Sequence, residues 1–464
     1  MTSSVQSAQG ALTDPTAPAP DIERFGYQQQ LARRLSTWDL VVYGMIFMVP
    51  IAPYSIFGFV WHDSRGMVPL AYLIGLIGMF FTAVSYASMS RAFPLAGSVY
   101  TYAQRGLHEV AGFFAGWLIL LDYILVPALL YVVSAVAMKG LLPTVPAWVW
   151  LVGFVVFNAC VNLLGIAFTA RVNRYLLILE LVTLALFVIL GSVALARGVG
   201  AGGLTLKPVY DPAVFSFATV TGATSIAVLS FLGFDGISTL AEENRGTAGG
   251  VGWATLMALL LVGALFMLQT WIATDLARGM TFSSAATAFY EITQRAGGNW
   301  LRIVSIGAVV ISSGIANAMA AQAAVSRILF AMARDGKLPV ILARIHPRYK
   351  TPYVSTLLVA AVSLLVGWIF AGRLDDLSRI VNFGALTGFL LLHASVVNHY
   401  MLRQRSRRWL RYLVFPLVGF LVIAYVLYEM DSKAKILGAC WIGIGVLYYL
   451  WLTYALKKPA ALQV

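Results

Sequence analysis

The chain has 464 residues, 60% of them hydrophobic and only 11% charged, whereas soluble domains are roughly half apolar and a quarter charged. That balance excludes a water-exposed globular domain and calls for a bilayer, where apolar side chains can face lipid. The net charge of +13 lies in short loops between apolar runs, a placement that fits topology control and anionic lipid headgroups and not nucleic acid.

Residues Met1 to about Gln30 are rich in Ser, Ala, Pro and Gln and contain no apolar core of a signal peptide. Residues 1–35 are therefore expected to form a disordered cytoplasmic tail. A crossing helix needs about 20 mostly apolar residues, and that ruler gives about twelve spans. The first repeat of five, in residues 36–200, holds Leu40–Val60, Val68–Met89, Gly112–Ala137, Ala147–Phe168 and Tyr175–Ala196. The second, in residues 210–402, holds Phe215–Leu240, Gly250–Ala273, Leu301–Ala331, Val354–Phe370 and Ile380–Tyr400. Arg411–Tyr428 and Ile436–Leu456 complete the set in residues 403–464. Arg91–Val110 and Thr274–Trp300 are too polar to cross and are expected along the interface or in a loop vestibule.

Orientation follows from Lys and Arg in the loops. With the N-terminus inside, about 20 basic residues fall in cytoplasmic segments against about 9 outside. Both termini are thus expected on the cytoplasmic side of a multi-pass protein of the cell membrane. Cys160 and Cys440 lie inside apolar runs and read as small packing residues. No cluster of His, Cys and carboxylates suggests a catalytic metal, no nucleophile–base pair suggests an enzyme, and no cofactor is expected. Trp117 and Trp148 read as interface anchors.

Two spans interrupt themselves. The first contains Met48-Val49-Pro50-Ile51-Ala52-Pro53, where two prolines remove amide donors and free carbonyls. The sixth contains Ser230-Phe231-Leu232-Gly233-Phe234-Asp235-Gly236, with two glycines around an acid. Either alone reads as a kink. Together, at corresponding places in two halves, they point to a central solute site, because non-helical backbone at that depth must be buried or line a cavity.

Asp122, Glu180 and Asp235 lie within apolar spans. Each costs at least about 2.5 kcal/mol when central in a membrane, so each should face a partner or a cavity. Arg327, late in the eighth span, reads as snorkelling or as pairing with Glu242 or Glu243, which would form a cytoplasmic gate. The central excess is acidic, which favours a cationic solute, protons, or both. The plainer readings are a structural hydrogen bond for Asp122, a brace on the first span for Glu180 and a helix cap for Asp235.

The strings Phe93-Pro94-Leu95-Ala96-Gly97-Ser98-Val99-Tyr100-Thr101-Tyr102-Ala103-Gln104 and Leu120-Leu121-Asp122-Tyr123 carry a family resemblance. So do Ser230 to Asp235 with Glu242-Glu243, Ala324-Val325-Ser326-Arg327, Arg334-Asp335-Gly336, His346-Pro347 and Asn382-Phe383-Gly384-Ala385-Leu386. The chain resembles the amino acid–polyamine–organocation superfamily of permeases, and within it is similar to bacterial putrescine importers. The resemblance implies an all-α polytopic membrane protein with twelve transmembrane helices. It also implies a LeuT-type five-plus-five inverted repeat with discontinuous helices 1 and 6, and usually proton-coupled secondary transport. It implies substrate contacts from Met48, Val49, Ile51, Asp122, Tyr123, Ser230, Phe231, Gly233 and Asn382, with the Phe231 ring as a lid. Asp235 matches a proton-sensitive switch.

Two departures bear on substrate. Where the importers resemble Phe-Asp-Thr-Phe-Gly, this chain has Tyr54-Ser55-Ile56-Phe57-Gly58, without that amine anchor, while Glu180 stands where they resemble a glutamine. The glycine-rich string by which amino-acid carriers of this family receive a carboxylate is replaced by Met48-Val49-Pro50, and proline has no N–H to give. The expected solute is a small cationic amine such as putrescine. Asp122 or Glu180 would pair with the ammonium, Tyr123 and Phe231 would cover the methylenes, and Asp235 or Glu180 would carry the coupling proton. An amino-acid permease of the same fold is the alternative.

Overall fold

The computed structural model describes residues 33–455, apart from 143, 248, 286, 337, 371–373 and 431. The expected N-terminal tail and the last residue of the twelfth expected span therefore lie largely or wholly outside the described residues. In chain order the helices are α1 (Thr37–Met48), α2 (Pro53–Asp63), α3 (Val68–Ala92), α4 (Ser98–Gly106), α5 (Glu109–Leu141), α6 (Ala147–Leu164) and α7 (Ile166–Ala196). They continue as α8 (Phe217–Ala227), α9 (Gly250–Leu276), α10 (Ala288–Gly297), α11 (Asn299–Ile311), α12 (Ala318–Arg334), α13 (Tyr353–Ile369), α14 (Leu374–Val396), α15 (Phe415–Glu429) and α16 (Ser432–Leu450). Among the described residues ten helices are long and apolar enough to cross a membrane, or eleven if the bent pair α1–α2 is one span. The 17-residue α13 is a shorter apolar helix. The only β pairing among the described residues is one isolated bridge, Leu35 to Asn244.

The centre is built by α9 lying along α3 and α1, and by α14 lying along α5. The flanking helices present apolar side chains outward, such as Val156 on α6, Leu421 on α15 and Leu447 on α16, as a lipid-facing surface requires. Cys160 and Cys440 are free and exposed on these outer faces, so they do not pack the interior as expected. Trp117 also differs from expectation. Its ring stacks on Trp441 at 4.7 Å, and each indole N–H donates to the other residue's carbonyl oxygen, at 2.9 and 2.8 Å. It docks α16 onto α5.

Boundaries moved where a local signal outweighed hydropathy. The fourth expected span stops at Leu164, not Phe168, because Gly165 takes φ +110° and ends the helix; α7 then begins at Ile166 and absorbs the polar stretch before Tyr175. The segment 91–110 contains α4, whose Val99, Tyr100 and Tyr102 are fully buried, so it packs among the other helices. The segment 274–300 contains α10, a short helix that covers α2 and α7.

The first interruption has local causes. α1 starts on a capping box, with Ser36 Oγ accepting from the Asp39 amide (3.2 Å) and the Asp39 carboxylate accepting from the Ser36 amide (3.0 Å). It ends because Pro50 has no amide to continue it and Val49 turns to φ +53°, an uncommon conformation for a β-branched residue. Pro53 suits the first turn of α2, which leaves the break at 53° to α1. The freed Pro50 carbonyl accepts a hydrogen bond from Gln269 Nε2 of α9 at 2.8 Å.

The second interruption follows α8. A 3-10 turn over Val228–Phe231 gives way to extended Leu232, then to Gly233 at φ +113°, and then to a tightly wound segment Phe234–Glu243. There the hydroxyls of Ser238 and Thr239 donate to the carbonyls of Asp235 and Gly236. A Cβ at Gly233 would lie 2.9 Å from the Phe47 carbonyl oxygen, and one at Gly236 would lie 2.1 Å from the Phe47 ring. The end of α1 therefore presses directly against the break in the sixth span, and only glycine permits that approach.

Three outcomes follow for purified protein in detergent. Gly233→Ala forces a side chain into a left-handed position against Phe47 and should destabilise by about 1–3 kcal/mol, read as a lowered apparent melting temperature. Gly222→Ala, where a Cβ meets nothing within 4 Å, should leave it unchanged. Gln269→Leu strips the Pro50 carbonyl of its donor and should cost about 1–3 kcal/mol in the same assay.

Candidate functional site

Asp235 lies in the first turn after the Gly233 break and is 1% exposed. Its Oδ1 accepts from the Gly233 amide at 3.2 Å, and its Oδ2 accepts from the Tyr123 hydroxyl and, at 3.5 Å, from the Tyr86 hydroxyl. Tyr86 also shares a 3.2 Å hydrogen bond with Ser98 Oγ at the start of α4. The Tyr123 ring meets Phe47 edge-on at 6.2 Å. The broken sixth span, α5, α3 and the end of α1 thus converge on one carboxylate.

Asp122, the neighbour of Tyr123, is buried, and its Oδ1 has no hydrogen-bond partner. α14 passes α5 at van der Waals contact here, since a Cβ on Gly384 would lie 2.8 Å from the Asp122 amide nitrogen. Two residues earlier on α14, Asn382 donates to the Ser225 carbonyl at 3.1 Å and keeps its Oδ1 buried and unpartnered. Met48, Val49 and Ile51 form the buried turn between α1 and α2. Ser230 hydrogen-bonds Tyr72 at 2.9 Å. Phe231 is fully buried between Tyr72 and Phe266, at 5.9 and 5.2 Å between ring centroids, so its ring lies packed against α3 and α9.

Glu180 stands apart. It is fully buried on α7, and neither carboxylate oxygen has a hydrogen-bond partner. Its helix packs against α1 and α9, but no bond joins it to Asp235 or Asp122. None of the three carboxylates forms an ion pair among the described residues. Among those residues no His, Cys, Asp and Glu gather into a metal-holding group.

The charged residues read as a gate lie at the far end of the Phe234–Glu243 segment. Glu243 pairs with Arg327 at 2.5 Å, both buried. Glu242 pairs with Arg334 at 3.2 Å, a partner the sequence did not suggest, and accepts from the Ala96 amide at 3.0 Å. Tyr100 donates to Asp335 at 2.7 Å. The chain before α1 is fastened to this cluster, since the amides of Arg34 and Leu35 donate to the Glu243 carbonyl and the Arg245 amide donates to Leu35. At the opposite end, beyond the first break, Tyr54 stacks on Phe289 at 3.9 Å, and Phe57 and Phe187 close around them. The central residues therefore lie between a charged closure and an aromatic one, buried from both ends.

Several participants escaped the sequence reading. Tyr72 and Tyr86 lie on the same face of α3, with Met79 between them at seven-residue spacing, and polar-tipped aromatics repeated on one face of an apolar span were the available signal. Gln269, a lone amide in the seventh span, was another. His393 of α14 is buried between Thr82 and Ser85. Thr82 also donates its hydroxyl to the Gly78 carbonyl, and the two ring nitrogens of His393 share hydrogen bonds of 3.3 Å with Thr82 and 2.9 Å with Ser85, clamping α14 to α3.

Chemically, this arrangement offers carboxyl oxygens and phenolic hydroxyls at the meeting point of two broken helices, with no cationic side chain paired to them among the described residues. Comparison with known proteins agrees with a solute-carrying role. A profile of the family described as amino acid permease matches residues 42–429. The chain is 32% identical over 444 residues to the low-affinity putrescine importer PlaP of Escherichia coli K12, covering 93% of this chain and 96% of that protein. It is 27% identical to the branched-chain amino acid permease BcaP of Bacillus subtilis, covering 91% and 94%, and 24% identical to the methylthioribose transporter of the same organism, covering 91% and 93%. The chain belongs to the amino acid permease family of the amino acid–polyamine–organocation superfamily: it is a multi-pass membrane transporter of small molecules and not an enzyme.

Proposed function

We propose that the chain imports a small organic cation, a mono- or diamine, by proton-coupled secondary transport. The observation that carries this reading is the set of buried carboxylates, Asp122, Glu180 and Asp235, without a paired cation among the described residues. An ionised carboxylate in such surroundings is stable only with a counter-charge, and a carboxylate without one is driven to take a proton. A substrate ammonium and a coupling proton are the two species that meet this need.

The backbone supports an amine over an amino acid. A carboxylate is received by free amides at half-helix N-termini, but Pro50 and Pro53 have none, and the amides of Val49, Ala52, Tyr54 and Ser55 are spent on local turns. The Gly233 amide is spent on Asp235. The similarity to a putrescine importer points the same way, and the similarity to a branched-chain amino acid permease favours the amino-acid alternative.

In this reading twelve spans form a LeuT-type fold in the cytoplasmic membrane, with both termini inside. Residues 36–200 and 210–402 are the inverted repeats, residues 403–464 are peripheral and residues 1–35 are a tail. Met48, Val49, Ile51, Ser230, Gly233 and Asn382 line the solute path. Phe231 sits where a change of rotamer out of its present packing would cover the solute. Asp122 holds the ammonium, and Tyr123 links it to Asp235. Glu180 carries the coupling proton, with Asp235 as the second candidate. Glu242, Glu243 and Arg327 form the cytoplasmic gate, which must part for release.

Uptake of labelled putrescine into proteoliposomes tests the substrate class. Unlabelled putrescine or a related amine should compete and alanine should not; the reverse result selects the amino-acid alternative. Asp122→Asn should lower amine uptake about 100-fold, the loss expected when one partner of a buried ion pair worth about 3 kcal/mol is removed. Glu180→Gln should retain amine exchange between loaded vesicles and lose uptake driven by an inward proton gradient. Wild-type behaviour of both variants would remove the proposed site.

A further inference from the structure

α14 runs on in a wider coil to Arg403, and the next span begins at Leu410. Residues 404–409 therefore sit where two spans leave the membrane. Between this loop and α3 lies a groove of about 530 Å³. Three arginines, Arg407, Arg408 and Arg411, form one wall, while Val84 of α3 and Phe415 of α15 supply apolar surface. Trp409 and Leu410 complete it and are exposed, as residues that meet headgroups and acyl chains would be.

The loop is built and not merely basic. The Ser406 amide donates to the Tyr400 carbonyl at 2.9 Å, the Tyr412 amide donates to the Arg408 carbonyl at 3.1 Å, and the Tyr400 and Tyr412 rings stack at 4.0 Å. Arg403 is occupied, donating to the carbonyls of Arg105 and Leu107. The other three arginines form no ion pair among the described residues, and no acid lines the groove. The Nε–H of Arg411 is buried with no hydrogen-bond partner. Arg407 and Arg408 are exposed and the Arg411 guanidinium lies over the Tyr412 ring at 5.7 Å, so three cations line one groove that holds no acid, which favours an anion there. Their planar forks match phosphate oxygens, and the apolar wall beside them matches an acyl chain.

We propose that this groove binds the phosphodiester headgroup of an acidic phospholipid, with the glycerol and first methylenes against Val84 and Phe415. Basic pockets between spans at the membrane edge are suited to such headgroups.

The test uses full-length protein in detergent, with phosphatidylglycerol or phosphatidylcholine added back, bound lipid counted by native mass spectrometry and the apparent melting temperature recorded. Phosphatidylglycerol should be retained and should raise the melting temperature, whereas phosphatidylcholine should do neither. Combined Arg407→Gln, Arg408→Gln and Arg411→Gln should cut retained phosphatidylglycerol at least tenfold. Combined Arg344→Gln, Arg348→Gln and Lys350→Gln, an equal loss of charge in another loop, should leave retention within twofold. Val84→Phe, which fills the groove and keeps every arginine, should also lose the lipid. Equal retention by the groove variants and the wild type would overturn the site. Equal loss in the control triple would reduce it to general surface charge, and displacement by millimolar inorganic phosphate would show that the apolar wall plays no part.

Discussion

Inside a bilayer every backbone N–H and C=O must find its partner within the protein, and the rest of this structure depends on how two spans meet that demand after breaking it. The first span stops because proline withholds an amide, and the carbonyl it frees is taken by Gln269 from a helix far away in sequence. The sixth stops at a glycine, whose amide turns to Asp235 while the hydroxyls of Ser238 and Thr239 tie down the next carbonyls. The two repairs are one assembly, because Phe47 at the end of α1 fills the space left by Gly233 and Gly236. Neither break is affordable without the other helix to cover it.

Charge is divided along the same axis. At one end Glu242 and Glu243 are matched by Arg334 and Arg327, and the chain entering α1 is stitched to them by backbone hydrogen bonds. At the centre Asp235 is held by two tyrosine hydroxyls and the Gly233 amide, both Glu180 oxygens and the Asp122 Oδ1 have no hydrogen-bond partner, and none of the three pairs with a cation among the described residues. A buried matched pair is stable in the absence of solute, and a buried unmatched acid is not. The molecule therefore keeps a neutralised end and an unsatisfied middle, which is the electrostatic profile that the proposed transport of a cation requires. The neutralised end also explains why Arg327 can lie deep in the protein: its charge never faces lipid.

How much of this was legible beforehand differs by kind of interaction. Hydropathy located the apolar helices, because the requirement that a span be long and apolar acts on each segment separately. Proline and glycine marked both breaks for the same reason: the missing amide and the permissive φ are properties of the residue itself. The strings around Asp122, Ser230 and Asn382 disclosed the family, and the buried acids stood out against their apolar neighbours.

Partnership is another matter, since it is decided by residues 92 to 324 positions apart in the pairs that matter here. Nothing local joined Tyr123 and Tyr86 to Asp235, paired Glu242 with Arg334, stacked Trp117 on Trp441, or turned Cys160 and Cys440 outward, and Gly165 ended a helix that hydropathy alone would have extended. The sequence by itself determined that the chain crosses the membrane many times, where two crossings fail and that acids sit in the interior. Only the tertiary structure decided which groups repair each failure and which acids stay without a cation, because a hydrogen bond or ion pair needs atoms brought within about 3 Å, and that proximity arises from helix packing.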